Sequence, residues 1–235
     1  MGRAFEYRKA SKLKRWGAMS RIFPKLGKEI TLAAKQGGGD PETNPRLRAA
    51  IQNAKGQNMP KTNIENAIKR ATDKDTKDYA EVVYEGYGPH GVAIIIETAT
   101  DNPTRTVANV RSALVRSGGS LGTSGCLSFI FERKGVFQLK AEGLDIEELE
   151  LELIDHGLDE ISEVEDELYV YTSFLDFHRM SKYLQEKGME VTSAQLQRIP
   201  SSYSELTDEQ AEDLDKLVDK LEDDEDVQAV YTNIG

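Results

Sequence analysis

A single cysteine, Cys126, stands in 235 residues, which excludes an internal disulfide framework and fits a reducing compartment. Histidine is almost as scarce: His90, His156 and His178 lie far apart, and nothing places them at zinc-ligand spacing. Aromatic residues make up 7% of the chain, with Trp16 the lone tryptophan. No apolar run approaches the roughly 20 residues of a membrane helix. Residues 1–32 contain no apolar core of the kind a secretory signal needs. These absences lead us to expect a cytoplasmic protein with no cofactor, no bound metal and no membrane partner. No small-molecule substrate is evident in the sequence, and it leaves the oligomeric state open.

Charge is abundant and unevenly placed. Residues 1–77 carry 18 Lys/Arg against 7 Asp/Glu, whereas residues 78–235 carry 12 against 34. The net charge of −11 therefore conceals a basic end on an acidic body. Such a split suggests an end that binds a polyanion, with the acidic remainder orienting the approach. Arg3, Arg8, Lys9, Lys12, Lys14, Arg15, Arg21, Lys25, Lys28 and Lys35 stand against only Glu6 and Glu29, with Phe5, Tyr7 and Trp16 interleaved. Basic side chains neutralise phosphates and aromatic rings stack on exposed bases. The competing interpretation is a solvated arm whose aromatics tuck onto the body.

Periodicity organises the rest. Met19, Ile22, Phe23, Leu26, Ile30 and Ala33 form a helical stripe in which Pro24 must begin or kink the helix, and Gly37 to Gly39 end it. Asn44-Pro45 starts a second helix with Arg46 and Arg48 outward, and Pro60 to Asn63 opens a third that carries Lys61, Lys69 and Arg70. Three short amphipathic helices imply a small bundle with a basic polar face, over residues 1–77.

The stretch from Val82 to Phe131 reads as strand, strand, helix, strand. Val92 to Ile96 is a buried strand, Asn102-Pro103 starts the helix, Gly118-Gly119 stops it, and Leu127, Phe129 and Phe131 alternate as a third strand. From Val136 to Leu196 the order is β-α-β-β-α-β, a ferredoxin-like unit that can close on itself. Thr207 and Gln210 form a capping box before a last helix, and Val227 to Tyr231 is a last strand. That pair would supply what the 82–131 unit lacks. The expected fold is α+β and multi-domain: an N-terminal three-helix bundle, a central α+β domain at 78–133 plus 199–235, and an inserted ferredoxin-like domain at 134–198.

Two long segments carry a resemblance. NPRLRAAIQNAKGQNMPKTNIENAIKRA and YEGYGPHGVAIIIETATDNPTRTVANVRSALVRSGGSLGTSGCLSFIFERKG are similar to the YebC/PmpR family, in the right order and within a match over nearly the whole chain. The resemblance implies a three-lobed fold with one α+β domain inserted into another. It also implies either a DNA-binding transcriptional regulator or a translation factor or activator at the ribosome. The chain departs from the family at its start, where Gly2-Arg3-Ala4-Phe5-Glu6-Tyr7 replaces a Gly-His-Ser-Lys-Trp opening. A role carried by that histidine does not transfer, whereas the basic character does.

No catalytic constellation emerges. Gly118 to Gly125 lacks the Gly-Lys-Ser/Thr of a P-loop and precedes a strand, so it reads as a helix cap and tight turn. Its glycines would also let RNA or another backbone approach. Cys126 reads as a small core residue rather than a nucleophile served by His90. Asp223 to Asp226 lacks the alternating ligands of a calcium loop and reads as solvated. Asp101, Asn102, Thr104 and Arg105 read mainly as a helix cap; Arg105, Thr106, Tyr84, Tyr87, Gly118 and Gly119 are candidates for cleft or loop contacts. We expect a non-enzymatic nucleic-acid-binding regulator, by resemblance a DNA-binding transcriptional regulator. The alternatives are a ribosome-associated translation factor binding rRNA or tRNA and a protein-interaction adaptor with a basic docking end. No helix-turn-helix signature stands out, and the spread of basic charge suits a structured RNA slightly better.

Overall fold

Capping residues and apolar spacing account for most element boundaries. The computed structural model describes residues 19–72, 78–141, 143–164 and 167–235. Its helices are α1 Met19–Gly37, α2 Pro45–Gly56, α3 Lys61–Thr72, α4 Pro103–Arg116, α5 Ile146–Ile154, α6 Phe177–Glu186 and α7 Asp208–Glu222. Its strands are β1 Ala80–Tyr87, β2 Ala93–Thr100, β3 Ser120–Leu121, β4 Phe131–Lys140, β5 Leu158–Val164, β6 Glu167–Ser173, β7 Val191–Pro200 and β8 Val227–Thr232. Pro24 lies inside α1 without ending it. Asn102 and Thr207 cap α4 and α7, the latter with the full capping box to Gln210.

The described residues divide into two compact units, one of residues 19–29, 78–132 and 199–235, the other within residues 30–72 and 133–198. The first unit holds a sheet of order β3-β1-β2-β8. β1 and β2 pair antiparallel from Ala80↔Thr100 to Tyr87↔Ala93, and β8 returns to pair antiparallel with β2. β2 is covered on both faces, which is why it reads as an unbroken apolar run. Ile94 and Ile96 pack with Val110, Leu114, Leu214, Leu217 and Val218 of α4 and α7. Ala93 and Ile95 pack with Leu127 and Phe131.

That second face corrects one expectation. Leu127, Phe129 and Phe131 are not a strand: residues 124–130 are a run of turns and β4 begins at Phe131. The Glu85 carboxylate accepts the N–H groups of Gly125 and Leu127, both at 2.7 Å, and Phe131 N–H bonds Leu127 O at 3.2 Å. The four-residue spacing puts Leu127 and Phe131 together on the sheet, while Phe129 is left 74% exposed. The third strand is instead the two-residue β3, paired with the end of β1.

In the second unit, β4-α5-β5-β6-α6-β7 forms a sheet of order β5-β6-β4-β7, the ferredoxin-like arrangement. Phe137, Leu139, Leu168 and Val170 pack under Leu149, Leu153, Met180 and Leu184 of its two helices. β7 is an edge strand and is not left open. Asn53 of α2, buried, donates from Nδ2 to Ala194 O at 2.8 Å and accepts Ala194 N–H on Oδ1 at 2.9 Å. Gln52 adds a bond to Val191 O at 3.1 Å. A side-chain amide thus takes the place of a neighbouring strand, which blunts the edge.

Candidate nucleic-acid interface

Within the second unit the helices of residues 30–72 are fixed by one buried amide. Asn44 Oδ1 accepts Leu47 N–H at 3.0 Å, capping α2, while its Nδ2 donates to Ala33 O and Gly38 O, both at 2.8 Å. Gly38, at φ +90°, lets α1 end there. Leu47, Ala50, Ala54, Ile64 and Ala67 form the buried side of α2 and α3. Thr31 Oγ1 donates to Ala67 O at 3.0 Å and joins α1 to α3. α2 and α3 are joined by residues 57–60, in which Asn58 takes a left-handed φ of 57°.

The predicted basic residues fall into distinct groups. Arg3, Arg8, Lys9, Lys12, Lys14 and Arg15 lie outside the described residues, and Arg21 is described only in its backbone, within α1. Lys35 lies in the last turn of α1, where a cation complements the carbonyl end. Arg46 donates to Gln36 Oε1. Arg48 is tied to Pro41 O at 3.1 Å, Glu42 O at 2.8 Å and Gln185 at 3.3 Å, so its guanidinium braces the unit. Lys61 lies 3.8 Å from Glu65. Lys69 and Arg70 are exposed and have no side-chain partner among the described residues. Asn63 and Asn66, which sequence reasoning passed over, share the exposed side of α3 with them.

Lys25 and Lys28 are used differently, within the first unit. Lys25 donates to Glu222 O at 2.9 Å. Lys28 donates to Glu225 O at 2.7 Å and meets Asp226 Oδ1 at 3.1 Å, with its side chain 15% exposed. The acidic run 223–226 is therefore not simply solvated, because Asp226 is buried. Its Oδ2 accepts from Arg105 at 2.6 Å, Thr106 at 2.9 Å and Thr100 at 3.0 Å. Burial pushes the Asp226 carboxyl up, but bonds from Arg105, Thr106, Lys28 and Thr100 outweigh it and hold the group at about 2. Arg105 also binds Asp101 at 2.9 Å, so it serves as an ion-pair bridge.

Residues 79–234 match the family model described as TACO1/YebC second and third domain, and residues 3–74 match the TACO1/YebC protein N-terminal domain. The chain belongs to the TACO1/YebC family. A relative from Parabacteroides distasonis, named "Probable transcriptional regulatory protein", is 60% identical over the whole chain and 97% of its own length. One from Porphyromonas gingivalis with the same name is 59% identical over the same shares. The crystal structure of a conserved hypothetical protein, Aq1575, from Aquifex aeolicus is similar with a TM-score of 0.83 at 38% identity, covering 95% of this chain and 93% of that one.

In this YebC-family chain the remaining candidates sit around the first unit's sheet. Tyr84 Oη donates to Pro103 O at 3.4 Å, and burial, then the Asp226 charge, raises its pKa. Tyr87 is partly exposed at the end of β1. Gly118, at φ +79°, caps α4, and Gly119 lies so close to Tyr87 O that a Cβ would stand 2.2 Å from it. His90 faces Asp213 at 3.4 Å. Burial, then Glu85, pushes the Cys126 thiol up, the reverse of what an activated thiolate needs. Among the described residues no group of His, Cys, Asp and Glu could hold a metal, and no helix is long and apolar enough to cross a membrane.

Proposed function

We propose that this chain is a cytoplasmic DNA-binding transcriptional regulator that works without catalysis and contacts duplex DNA through α2 and α3. The observation that carries this is the outward face of α3: Asn63, Asn66, Lys69 and Arg70 are all exposed, and the two cations have no side-chain partner among the described residues. Two twelve-residue helices joined by a four-residue connection supply the framework of a helix-turn-helix, with α3 as the reading helix. Asn63 and Asn66 lie in its first half, where base edges are met, and Asn can pair two-pronged with adenine. Lys69 and Arg70 lie in its last turn and suit phosphates. The names of the bacterial relatives agree with this role.

Selection from a random duplex library tests it. A shared motif should emerge, and Asn66→Ala should relax one position of it while leaving the others. Enrichment of structured RNA in place of duplex would move the protein to the translational reading. Failure to enrich either would leave an adaptor with a basic docking end.

A further inference from the structure

A cleft in the first unit lies far in sequence from α3. It measures about 520 Å³ and is lined by Pro89, His90, Arg116, Ser117, Gly118, Asp213 and Lys216. Its residues come from the β1–β2 turn, the end of α4 and one face of α7. We propose that this cleft binds a phosphate group, gripped by Arg116, Lys216 and the His90 imidazole.

Four observations support the assignment. First, His90 is held at φ 60°, ψ 15°, a left-handed conformation uncommon for a side-chain-bearing residue. Gly88 N–H to Val92 O at 2.8 Å and Val92 N–H to Pro89 O at 3.4 Å brace it. Backbone strain of this kind gathers at binding sites, where it fixes a side chain in place. Second, His90 and Lys216 converge on one point of the cleft: Asp213 Oδ2 lies 3.4 Å from His90 Nε2 and Asp213 Oδ1 lies 3.2 Å from Lys216 Nζ, so a phosphate takes both donors only by displacing this exposed carboxylate. Third, Arg116 is exposed and has no partner among the described residues, which leaves its fork of N–H groups for a ligand. The carbonyls at this end of α4 are already capped, since Ser117 and Gly119 N–H bond Leu114 O and Gly118 N–H bonds Val115 O. Fourth, the charge is concentrated against its surroundings. Residues 19–29, 78–132 and 199–235 hold eight Lys/Arg against 19 Asp/Glu, and two of those eight line this cleft beside the single carboxylate of Asp213.

The lining also selects the ligand. Apart from the imidazole it presents no aromatic ring for a base, and Pro89 is its only sizeable apolar residue, so recognition falls on the charged group. A volume of about 520 Å³ exceeds one phosphate, leaving space for the nucleotide or sugar that bears it. The phosphate could belong to a free molecule or to a nucleic-acid backbone. Only the second source rests on the proposed function.

The test is an amide and ring NMR titration of the full chain with inorganic phosphate, and separately with a random-sequence DNA duplex, at matched ionic strength. Phosphate should move the Ser117 and Gly118 amides and the His90 ring saturably, and Arg116→Ala/Lys216→Ala should abolish those shifts without lowering the melting temperature. If duplex DNA moves the same resonances and the double variant binds it about tenfold more weakly, the backbone is the source. If only inorganic phosphate moves them, the ligand is a free phosphorylated molecule. A wild type that binds no DNA overturns the functional reading and leaves the phosphate arm to decide this one. Absence of shifts with both probes overturns the proposal, as do phosphate-induced shifts that persist in the double variant.

Discussion

Asn53 and Ala194 exchange two hydrogen bonds, a helix side chain standing in for the strand that β7 lacks on its open edge. The pairing joins α2, half of the helix pair proposed to contact DNA, to the ferredoxin-like sheet of the same compact unit. Asn53→Ala strands a buried donor and a buried acceptor together, and each costs about 1–3 kcal/mol. Thermal unfolding should show a loss of several degrees. Asn53→Asp should be no better, because a carboxylate accepts Ala194 N–H but repels Ala194 O.

Gly56 gives a test whose sign is informative. Replacing a helix glycine by alanine ordinarily stabilises by about 0.5–1 kcal/mol. Here a Cβ at Gly56 would lie 2.4 Å from Thr192 O, a backbone atom that cannot swing aside. Gly56→Ala should therefore destabilise, by about 1–3 kcal/mol as overpacking does. A stabilised variant in chemical denaturation would mean that α2 does not lie this close to β7.

Asp226 predicts how acid acts on the first unit. Its folded pKa of about 2 lies below the ordinary carboxylate value, so its contribution is fully present above the unfolded pKa. It amounts to about 2 kcal/mol, lost as pH falls from roughly 4 towards 2. Asp226→Asn removes the titration, and its stability should fall less steeply over that window than the wild type's. At neutral pH the same variant should be less stable, since Arg105 and Lys28 lose a shared buried partner.

Lys28 and Lys69 should separate folding from the proposed DNA binding. Lys28→Ala should lower the melting temperature because it uncovers Asp226, whereas Lys69→Ala should leave it unchanged. On duplex DNA the order should reverse, with Lys69→Ala the weaker binder and Lys28→Ala close to wild type when compared below both melting transitions.

Local signals carried the elements well. The Asn-Pro pairs at Asn44 and Asn102, the capping box at Thr207 and the both-sided burial of Ile94 to Ile96 are all written in neighbouring residues. The turn at 124–130 was hidden because its organiser, Glu85, lies 40 positions away and because Leu127, Phe129 and Phe131 imitate a strand. Asp226 looked solvated for the same reason: its partners Lys28, Thr100, Arg105 and Thr106 are assembled only by tertiary folding. Charge counting located a basic end but could not separate Lys25 and Lys28, held by backbone and carboxylate, from Lys69 and Arg70, which face outward.

The most direct test of α3 as a DNA-binding surface is the affinity for a labelled duplex as a function of salt, for wild type and for Lys69→Ala/Arg70→Ala. Each phosphate contact contributes about 0.9 to the slope of log affinity against log salt. The double variant should bind more weakly, with a slope shallower by roughly two and an unchanged melting temperature. Equal affinity and equal slope in the two proteins would contradict the account.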